Sequence, residues 1–321
     1  SFNFVFILIS IMKILRKPAH INSTTTISIG TFYVVNRIHR FVMKYASNLA
    51  QRYSSENLVI TFDPHPRFVL DDDIEAHFLL NTLDEKIELM SHLPIDIIYI
   101  QKFTKKFAQL TPENFIVWLK EYFNLKVLIM GYDNTFGVNR SGTFEDIKML
   151  SYKYNFYLHR IQPYVIDGIF ISSTKIRNLL LKGYVSEANK LLGYNYFING
   201  KVITGSKLGR KLGFPTANIG EVAEEKIIPG SGVYIIKATI DSEQYRGIMN
   251  IGFRPTFHYS HNYISLEAHL FDFNEEIYDK NIKIEFILKI RDEKKFDSPE
   301  ALVNQIYRDK EVALRFFNRN Y

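Results

Sequence analysis

The second half of the chain contains a run of glycines, cations and oxygen-bearing side chains whose composition suits phosphate binding. It reads Gly205-Ser206-Lys207-Leu208-Gly209-Arg210-Lys211-Leu212-Gly213-Phe214-Pro215-Thr216-Ala217-Asn218. Its three glycines recur every four residues, and backbone without a Cβ can approach a phosphate closely. The lysines and arginine add positive charge, while Thr216 and Asn218 carry hard oxygen donors that suit Mg²⁺. The spacing differs from a Walker A loop, and for the glycines alone a turn-rich hairpin is the alternative.

A carboxylate on a predicted strand is the second candidate for chemistry. The alternating segment 263–270 places Ser265, Glu267 and His269 on one face and apolar residues on the other. A solvated polar face is the ordinary explanation of such a pattern, and a general base is the functional one. Two further segments favour the functional interpretation: the Gly- and Pro-marked stretch 250–257 and the charged stretch 290–296.

The sequence around these residues predicts an all-β domain followed by a helix. Short strands separated by turn residues are predicted at 232–240, 244–251, 263–271 and 282–290. Their spacing indicates an antiparallel barrel or sandwich. A closing helix begins at Ser298-Pro299-Glu300, and its predicted apolar stripe comprises Val303, Ile306, Ala313 and Phe317.

The first half alternates buried strands with helices, which predicts a parallel sheet covered on both faces. The strands are predicted at 27–29, 58–62, 95–100 and 127–130. The helices are predicted at 35–53, 81–92, 112–123 and 143–155, and another is predicted to begin at Thr174, capped by Ser173, and to end at Gly183. Thr111-Pro112-Glu113 predicts the start of the third of these helices.

The four C-terminal segments together resemble the bacterial riboflavin kinase module over residues 190–317. The resemblance implies a six-stranded Greek-key barrel with a C-terminal helix, which transfers the γ-phosphate of ATP to riboflavin and forms FMN. It implies that ATP and its phosphates are bound by Gly205, Lys207, Gly209, Arg210, Gly213, Thr216 and Asn218. Thr216 and Asn218 would also ligate Mg²⁺, Glu267 would be the general base, and Arg291 would neutralise charge or close over the flavin.

In bacteria this kinase is usually fused behind an FMN adenylyltransferase, and residues 24–180 are similar to that α/β nucleotidyltransferase-like domain. The similarity is in Val59-Ile60-Thr61-Phe62-Asp63-Pro64-His65-Pro66, in Gly131-Tyr132-Asp133 with Phe136-Gly137, and in Ile171-Ser172-Ser173-Thr174-Lys175-Ile176-Arg177. By this resemblance the residual nucleotide site comprises Gly30, Asn36, His39, Asp63, His65, Gly131, Asp133, Ser173, Thr174 and Arg177.

The main adenylyltransferase motif departs from the family pattern. The family has Gly-Asn-Phe-Asp-Gly-Val-His-x-Gly-His, where this chain has Gly30-Thr31-Phe32-Tyr33-Val34-Val35-Asn36-Arg37-Ile38-His39. Asn36 replaces a histidine that can donate as a cation, and Ile38 replaces the glycine against which the nucleotide lies. Tyr33, Val34, Asn134 and Thr135 differ from the family as well. We therefore expect FAD synthesis to be lost or very weak while the fold persists. The alternative is that Arg37 or another basic residue substitutes for the missing histidine.

Length and composition bound the remaining possibilities. A chain of 321 residues predicts two domains, 24–189 and 190–321, after a lead-in of residues 1–23. Phe2 to Met12 is too short to span a bilayer, and Met12 is either the natural start or part of an ordinary first strand. The absence of cysteine excludes disulfides and thiolate chemistry. The net charge of +6 favours anionic substrates.

Several alternatives remain open at this point. The basic residues are scattered, so nucleic acid is not an expected partner, and neither a membrane nor an obligate protein partner is expected. The expected location is cytoplasmic, and the expected substrates are ATP, with Mg²⁺, and riboflavin. A fully bifunctional enzyme is the first alternative function. A non-catalytic sensor of flavin or nucleotide is the second, although a pure binding protein does not need a base such as Glu267.

Overall fold

The chain folds into two compact units. The computed structural model describes residues 12–32, 34–70, 79–132, 135, 137–138, 141–162, 165–166, 169–205, 213–254 and 263–320. Among these, the first unit extends to Ile171, and the second begins at Ser172 and also includes Leu79 and Leu80. The division falls earlier in the chain than the domain boundary predicted near residue 190. Residues 1–11, considered above as an extension, lie outside the described part.

A six-stranded parallel sheet forms the centre of the first unit. Its strands are β1 Lys13–Leu15, β2 Thr25–Ile29, β3 Glu56–Asp63, β4 Ile97–Lys102, β5 Leu125–Gly131 and β6 Tyr157–Ile161. Their order is β1-β4-β3-β2-β5-β6, and every neighbouring pair is parallel. A short hairpin, β7 Val165–Ile166 with β8 Ile169–Phe170, follows the sheet. The predicted parallel sheet is confirmed, and β1 and β6 are additional strands at its edges.

The helices of this unit include the four predicted at 35–53, 81–92, 112–123 and 143–155, together with short ones at 66–70 and 105–108 that were not predicted. They are α1 Arg37–Arg52, α2 Pro66–Leu70, α3 Leu83–Ser91, α4 Lys105–Ala108, α5 Pro112–Phe123 and α6 Phe144–Tyr154. Thr111 caps α5 as predicted, since its side chain accepts a hydrogen bond from the amide of Asn114. The core between helices and strands is apolar: Ile27, Leu58 and Leu128 are fully buried in it. Burial on both faces explains why the central parts of β3, β4 and β5 are nearly continuous apolar runs.

The second unit is a closed antiparallel barrel. Its strands are β9 Phe197–Ile203, β10 Ala217–Gly220, β11 Gly232–Ile240, β12 Glu243–Arg254, β13 Tyr263–Leu270 and β14 Asn281–Arg291. They follow one another around the barrel in the order β10-β13-β12-β11-β14-β9, and β9 pairs with β10 to close it. This confirms the predicted six-stranded barrel. Four of its strands were located in the sequence, whereas β9 and the short β10 were not.

Among the described residues, three helices accompany the barrel: α7 Ser173–Leu181, α8 Val185–Leu192 and α9 Pro299–Asn320. The predicted cap of α7 was wrong by one residue, because the side chain of Ser172 accepts the hydrogen bond from the amide of Lys175. Within the described part of the chain, no helix is long and apolar enough to cross a bilayer.

The C-terminal helix α9 packs on the outer face of the barrel. Ala313 and Phe317, two residues of the predicted stripe, are fully buried against Val233, Ile235 and Ile248 of β11 and β12. Ile306 packs against the same cluster. Burial of such side chains stabilises the helix position by about 25 cal/mol per Å² of apolar surface.

A buried ion pair also fastens α9 to the barrel. Asp309 is 2% exposed, and its carboxylate accepts hydrogen bonds from Arg291 Nε at 3.0 and 3.1 Å and from Arg291 Nη2 at 2.8 Å. Gln305 Nε2 donates to the same carboxylate at 2.9 Å. Because Arg291 ends β14, this bidentate pair ties the helix to the end of that strand.

Replacing Asp309 with alanine should destabilise the second unit strongly, because it leaves the Arg291 guanidinium without its partner. Loss of one partner of a buried pair costs about 3–5 kcal/mol, which denaturant unfolding would measure. Glu311→Ala is the matched control on the same helix, since its pair with Arg315 is exposed and contributes little. Equal effects of the two substitutions would show that the Arg291–Asp309 pair does not fasten the helix.

Candidate active site

Three polar residues lie side by side across neighbouring barrel strands. In the β10–β13 ladder Asn218 is directly opposite Glu267, and in the β12–β13 ladder Glu267 is directly opposite Asn250. Directly paired residues point to the same face, with Cβ atoms about 4.5–5.5 Å apart. The carboxylate of Glu267 therefore stands between two amide side chains, one of which belongs to the predicted phosphate-binding segment.

This row lies on the outer face of the barrel, on which α9 packs. Ile248 faces α9, and its partner in the ladder is His269, two residues beyond Glu267 on the same face. Ser265 and His269 are only 7% and 8% exposed, so a solvated polar face does not describe this side of β13. The Ser265 hydroxyl donates to Glu267 Oε1 at 2.9 Å and orients the carboxylate.

The glycine segment reaches the same place. A Cβ on Gly205 would overlap the side-chain amide of Asn218, so this position has to be glycine for Asn218 to keep its place. Gly213 is in the left-handed conformation, with a φ of +82°. Lys207, Gly209 and Arg210, the other predicted phosphate-binding residues of the segment, lie outside the described residues, together with Lys211.

A cavity of about 190 Å³ opens beside this segment. Gly205, Thr216 and Asn218 line it, so three of the predicted ATP-binding residues meet at one void. Its far wall is the loop 273–278, which includes Phe273 and Tyr278. Glu267 does not line the cavity but lies beside it, on the strand paired with Asn218.

Two features that the sequence did not identify lie close to these residues: the loop 273–278 and Glu293. Glu293 Oε1 is 2.5 Å from the position that a Cβ on Gly252 would take, and Asn250 Nδ2 is 3.3 Å from that position. Glu293 therefore lies close to Asn250, at one end of the row. The charged stretch 290–296 was singled out for Arg291, but the residue that reaches the row is Glu293.

Arg291 does not have the surroundings expected of a catalytic residue. Its Nε and Nη2 atoms are bound to the carboxylate of Asp309, and Nη1 donates to the backbone oxygen of Asp292 at 3.0 Å. Because Asp309 already neutralises the guanidinium charge, the predicted role in neutralising phosphate or closing over a flavin finds no support in these contacts. Arg291 positions the C-terminal helix.

In the first unit, the predicted nucleotide residues cluster at the carboxyl ends of neighbouring strands. Gly30 directly follows β2, Asp63 ends β3 and Gly131 ends β5, and β2 lies between the other two. The carboxyl edge of a parallel sheet is where such folds bind nucleotides. His65 lies just beyond β3, and its Nδ1 accepts a hydrogen bond from the amide of Arg67 at 3.2 Å. Asp133 and Asn134 lie outside the described residues.

Two motif residues serve the start of α1: Asn36, which replaces the first histidine of the family pattern, and His39, which matches the second. Asn36 is 3% exposed, and its Oδ1 accepts hydrogen bonds from the amides of Ile38 at 3.0 Å and His39 at 3.1 Å. The Asn36 amide in turn donates to His39 Nδ1 at 3.4 Å, which completes a capping box. Burial lowers the pKa of His39 from 6.5 to about 4. Neither side chain therefore supplies a cation near neutral pH.

An aromatic ring covers the glycine of this motif. A Cβ on Gly30 would lie 2.8 Å from Cζ of Phe32, and the Phe32 ring also packs edge-on against His39 at 5.2 Å. Phe32 has a φ of +41° and is 5% exposed. The ring of Phe32 therefore occupies the space beside Gly30 that the absence of a side chain leaves.

Lys86 is a cation in this region that the sequence analysis missed. It lies on α3 and is 5% exposed, and its Nζ donates to Thr61 Oγ1 at 2.9 Å, to the Thr31 oxygen at 3.3 Å and to the Phe62 oxygen at 3.5 Å. Burial lowers its pKa to about 8, against the opposing influence of Asp63. Because its hydrogen bonds go to the ends of β2 and β3, Lys86 holds these strand ends together.

The remaining predicted residues begin helix α7. Ser173 and Thr174 form its first turn after the cap at Ser172, and Arg177 lies one turn further on. These residues belong to the second unit. A helix N-terminus with adjacent hydroxyls suits an anion, and their role in nucleotide binding stays a prediction.

Comparisons with known proteins match both units. A family model described as riboflavin kinase matches residues 192–317, and one described as FAD synthetase matches residues 19–175. The bifunctional riboflavin kinase/FMN adenylyltransferase of Bacillus subtilis is 38% identical and covers 92% of this chain and 93% of its own length. The protein of the same name from Buchnera aphidicola of Schizaphis graminum is 37% identical over 96% of this chain and 99% of its own length.

A solved structure has the same overall architecture. It is a Streptococcus pneumoniae protein described as a macrolide-efflux protein, with a TM-score of 0.83 and 28% identity. The match covers 97% of this chain and 99% of that one. The likeness supports the fold described above.

Replacing Gly205 with alanine should weaken nucleotide binding, because the methyl group displaces the side chain of Asn218 from the cavity wall. We expect MgADP to bind about tenfold more weakly or worse, as measured by titration calorimetry, which corresponds to about 1.4 kcal/mol. Gly193→Ala is the control: Gly193 is the left-handed C-cap of α8, and its substitution costs about 1 kcal/mol of stability without touching the cavity. Unchanged affinity in the Gly205 variant would remove this cavity as the nucleotide site.

Proposed function

The chain belongs to the family of bifunctional riboflavin kinase/FMN adenylyltransferases, and we propose that its main activity is the kinase. Both a riboflavin kinase domain and an FAD synthetase domain are present, and the relatives are bifunctional. The barrel transfers the γ-phosphate of ATP to the terminal ribityl hydroxyl of riboflavin, which yields FMN and ADP. The first unit retains the adenylyltransferase fold, but its FMN adenylyltransferase activity is lost or very weak.

The pairing of Asn218 with Glu267 is the observation on which the kinase assignment rests. It puts a carboxylate next to an amide that lines the cavity, while Gly205 and Thr216 line the same wall. Phosphoryl transfer needs a positioned nucleotide, neutralised phosphate charge and a group that accepts the proton of the attacking alcohol. The described residues supply the first and the last of these, and the lysines and arginine of 207–211 are the proposed source of positive charge.

Each residue has a separate task in this proposal. Thr216 and Asn218 hold the phosphates of ATP, and their hydroxyl and amide oxygens are hard donors that fit Mg²⁺. When bound, the metal ion neutralises charge on the transferred phosphoryl group. Glu267 accepts the proton of the ribityl hydroxyl. The hydroxyl oxygen attacks the γ-phosphorus, and the bond between the γ-phosphorus and the oxygen that bridges it to the β-phosphate breaks. Ser265 holds one carboxylate oxygen so that Glu267 keeps its orientation.

The proposed loss of FAD synthesis rests on the first turn of α1. The carbonyl of Asn36 already caps the helix, and His39 is neutral because its pKa is about 4. Neither residue therefore supplies the cationic donor that stabilises charge developing on the phosphates, and one such donor contributes about 3–4 kcal/mol to catalysis. Ile38 adds a branched side chain where the family has glycine. Full bifunctionality, as in the relatives, is the competing function.

Replacing Glu267 with glutamine should abolish FMN formation while riboflavin binding changes little, because an amide retains the shape but not the basicity. We expect kcat to fall by about 10²–10⁴-fold. FMN formation is measured by chromatography and riboflavin affinity by fluorescence. Glu285→Gln on β14 is the matched control, since Glu285 contacts Gln244 away from the row. Turnover that survives in the Glu267 variant would refute the assignment of the base, and a protein without turnover in any form would favour the sensor.

FAD formation from FMN, ATP and Mg²⁺ should be at least about a hundredfold slower than FMN formation from riboflavin by the same sample, as expected for a missing donor. The double substitution Asn36→His with Ile38→Gly should raise the rate of FAD formation, because it restores the donor and the open backbone. Kinase turnover in the same preparation controls for folding. FAD formation as fast as the kinase step would mean that the adenylyltransferase is intact.

A further inference from the structure

We propose that His269 is a positioning residue of the kinase, which holds the turn Pro215–Asn218 in place for phosphate binding. The inference rests on the proposed kinase function and adds a residue to it. His269 does not line the cavity, and it lies two residues from Glu267 on the same face of β13. Its contacts point instead to the backbone that precedes Thr216.

A hydrogen bond joins the His269 ring to this backbone. His269 Nδ1 is 2.9 Å from the carbonyl oxygen of Pro215. Since a carbonyl only accepts, Nδ1 carries the proton and donates it. The β10–β13 ladder begins at the pair Ala217 and Ala268, so Pro215 and Thr216 precede it. The side chain of His269 thus supplies a fixed point to the turn just where the strand pairing stops.

The ring cannot easily leave this position, because aromatic side chains enclose it. Phe214 and Phe271 pack edge-on against it, with centroids at 5.4 and 5.8 Å, and His269 is 8% exposed. Phe214 in turn packs on Tyr307 of α9 at 4.6 Å. A turn held by an enclosed ring keeps one geometry, which phosphate binding requires.

The protonation state of the ring agrees with this role. Nε2 is buried and has no hydrogen-bond partner among the described residues. Burial lowers the pKa of His269; the bond to Pro215 raises it, and the charge of Lys310 lowers it further. The ring is therefore neutral at physiological pH, with its one proton on Nδ1, where Pro215 accepts it.

The consequence is a mechanical link between the base and the phosphate turn. Glu267 and His269 share one strand, and His269 holds the residue before Thr216, while Asn218 pairs with Glu267. Loss of the His269 donor frees the Pro215 end of the turn but leaves the Asn218 end paired. We therefore expect the loss to weaken MgATP binding more than it affects riboflavin.

The test compares two substitutions at this position. His269→Phe keeps an aromatic ring between Phe214 and Phe271 but removes the donor, and His269→Asn places an amide nitrogen near the position of Nδ1. The phenylalanine variant should raise KM for MgATP about tenfold, as for a lost buried hydrogen bond, with KM for riboflavin unchanged. The asparagine variant should return KM for MgATP to within about threefold of the original protein, since it restores the donor.

His159→Phe is the matched control, because His159 is a partly buried histidine of the first unit that contacts Tyr45 and Tyr53. It should leave all kinase constants unchanged. Equal changes in both KM values, a change in thermal stability alone, or no rescue by asparagine would overturn the positioning role. If the original protein does not phosphorylate riboflavin, the proposed function fails. Titration of MgADP into the same variants then decides the role of His269 by itself.

Discussion

The register between β10 and β13 is the constraint on which the second unit's chemistry depends. In a closed barrel every strand is paired on both sides, so each pair of strands has one register. A shift of β13 by one residue would turn Glu267 to the opposite face of that strand. The observed register places Glu267 between Asn218 and Asn250. The buried pair of Arg291 and Asp309 and the side chains of Ala313 and Phe317 then hold the C-terminal helix over this face.

The two units show opposite uses of polar side chains. In the barrel, Asn218 lines a cavity, and Glu267 lies beside it with one carboxylate oxygen held by Ser265, where we propose that the substrates bind. In the parallel sheet, Asn36 and His39 complete the capping box of α1, and Lys86 binds the ends of two strands. The cations and amides of the first unit thus stabilise its fold, and this difference is the physical basis for proposing one strong and one weak activity.

Much of the fold could be predicted because it follows from local periodicity. The apolar runs at 27–29 and 127–130 and the alternation at 282–290 became strands, and Thr111 caps its helix. The strands β1, β6, β9 and β10 were missed; β1, β6 and β10 have only three to five residues, which carry little periodic signal. The cap of α7 was misplaced because consecutive serines offer two equivalent caps. The pair of Arg291 with Asp309 could not be predicted, because Asp309 lies 18 residues away, on another element.

The sequence by itself determined the class of each domain, the residue types of the phosphate segment and the departures of the adenylyltransferase motif. The first two follow from residue types and their periodicity along the chain, and the departures follow from comparing the motif with the family that it resembles. Tertiary structure alone decided which atoms meet. The side chain of Asn218 occupies the space that a Cβ on Gly205 would take, and Glu293 lies close to Asn250. The ring of His269 donates a hydrogen bond to the carbonyl of Pro215. Such contacts depend on strand register and helix docking, which are set by packing between distant segments and leave no local pattern.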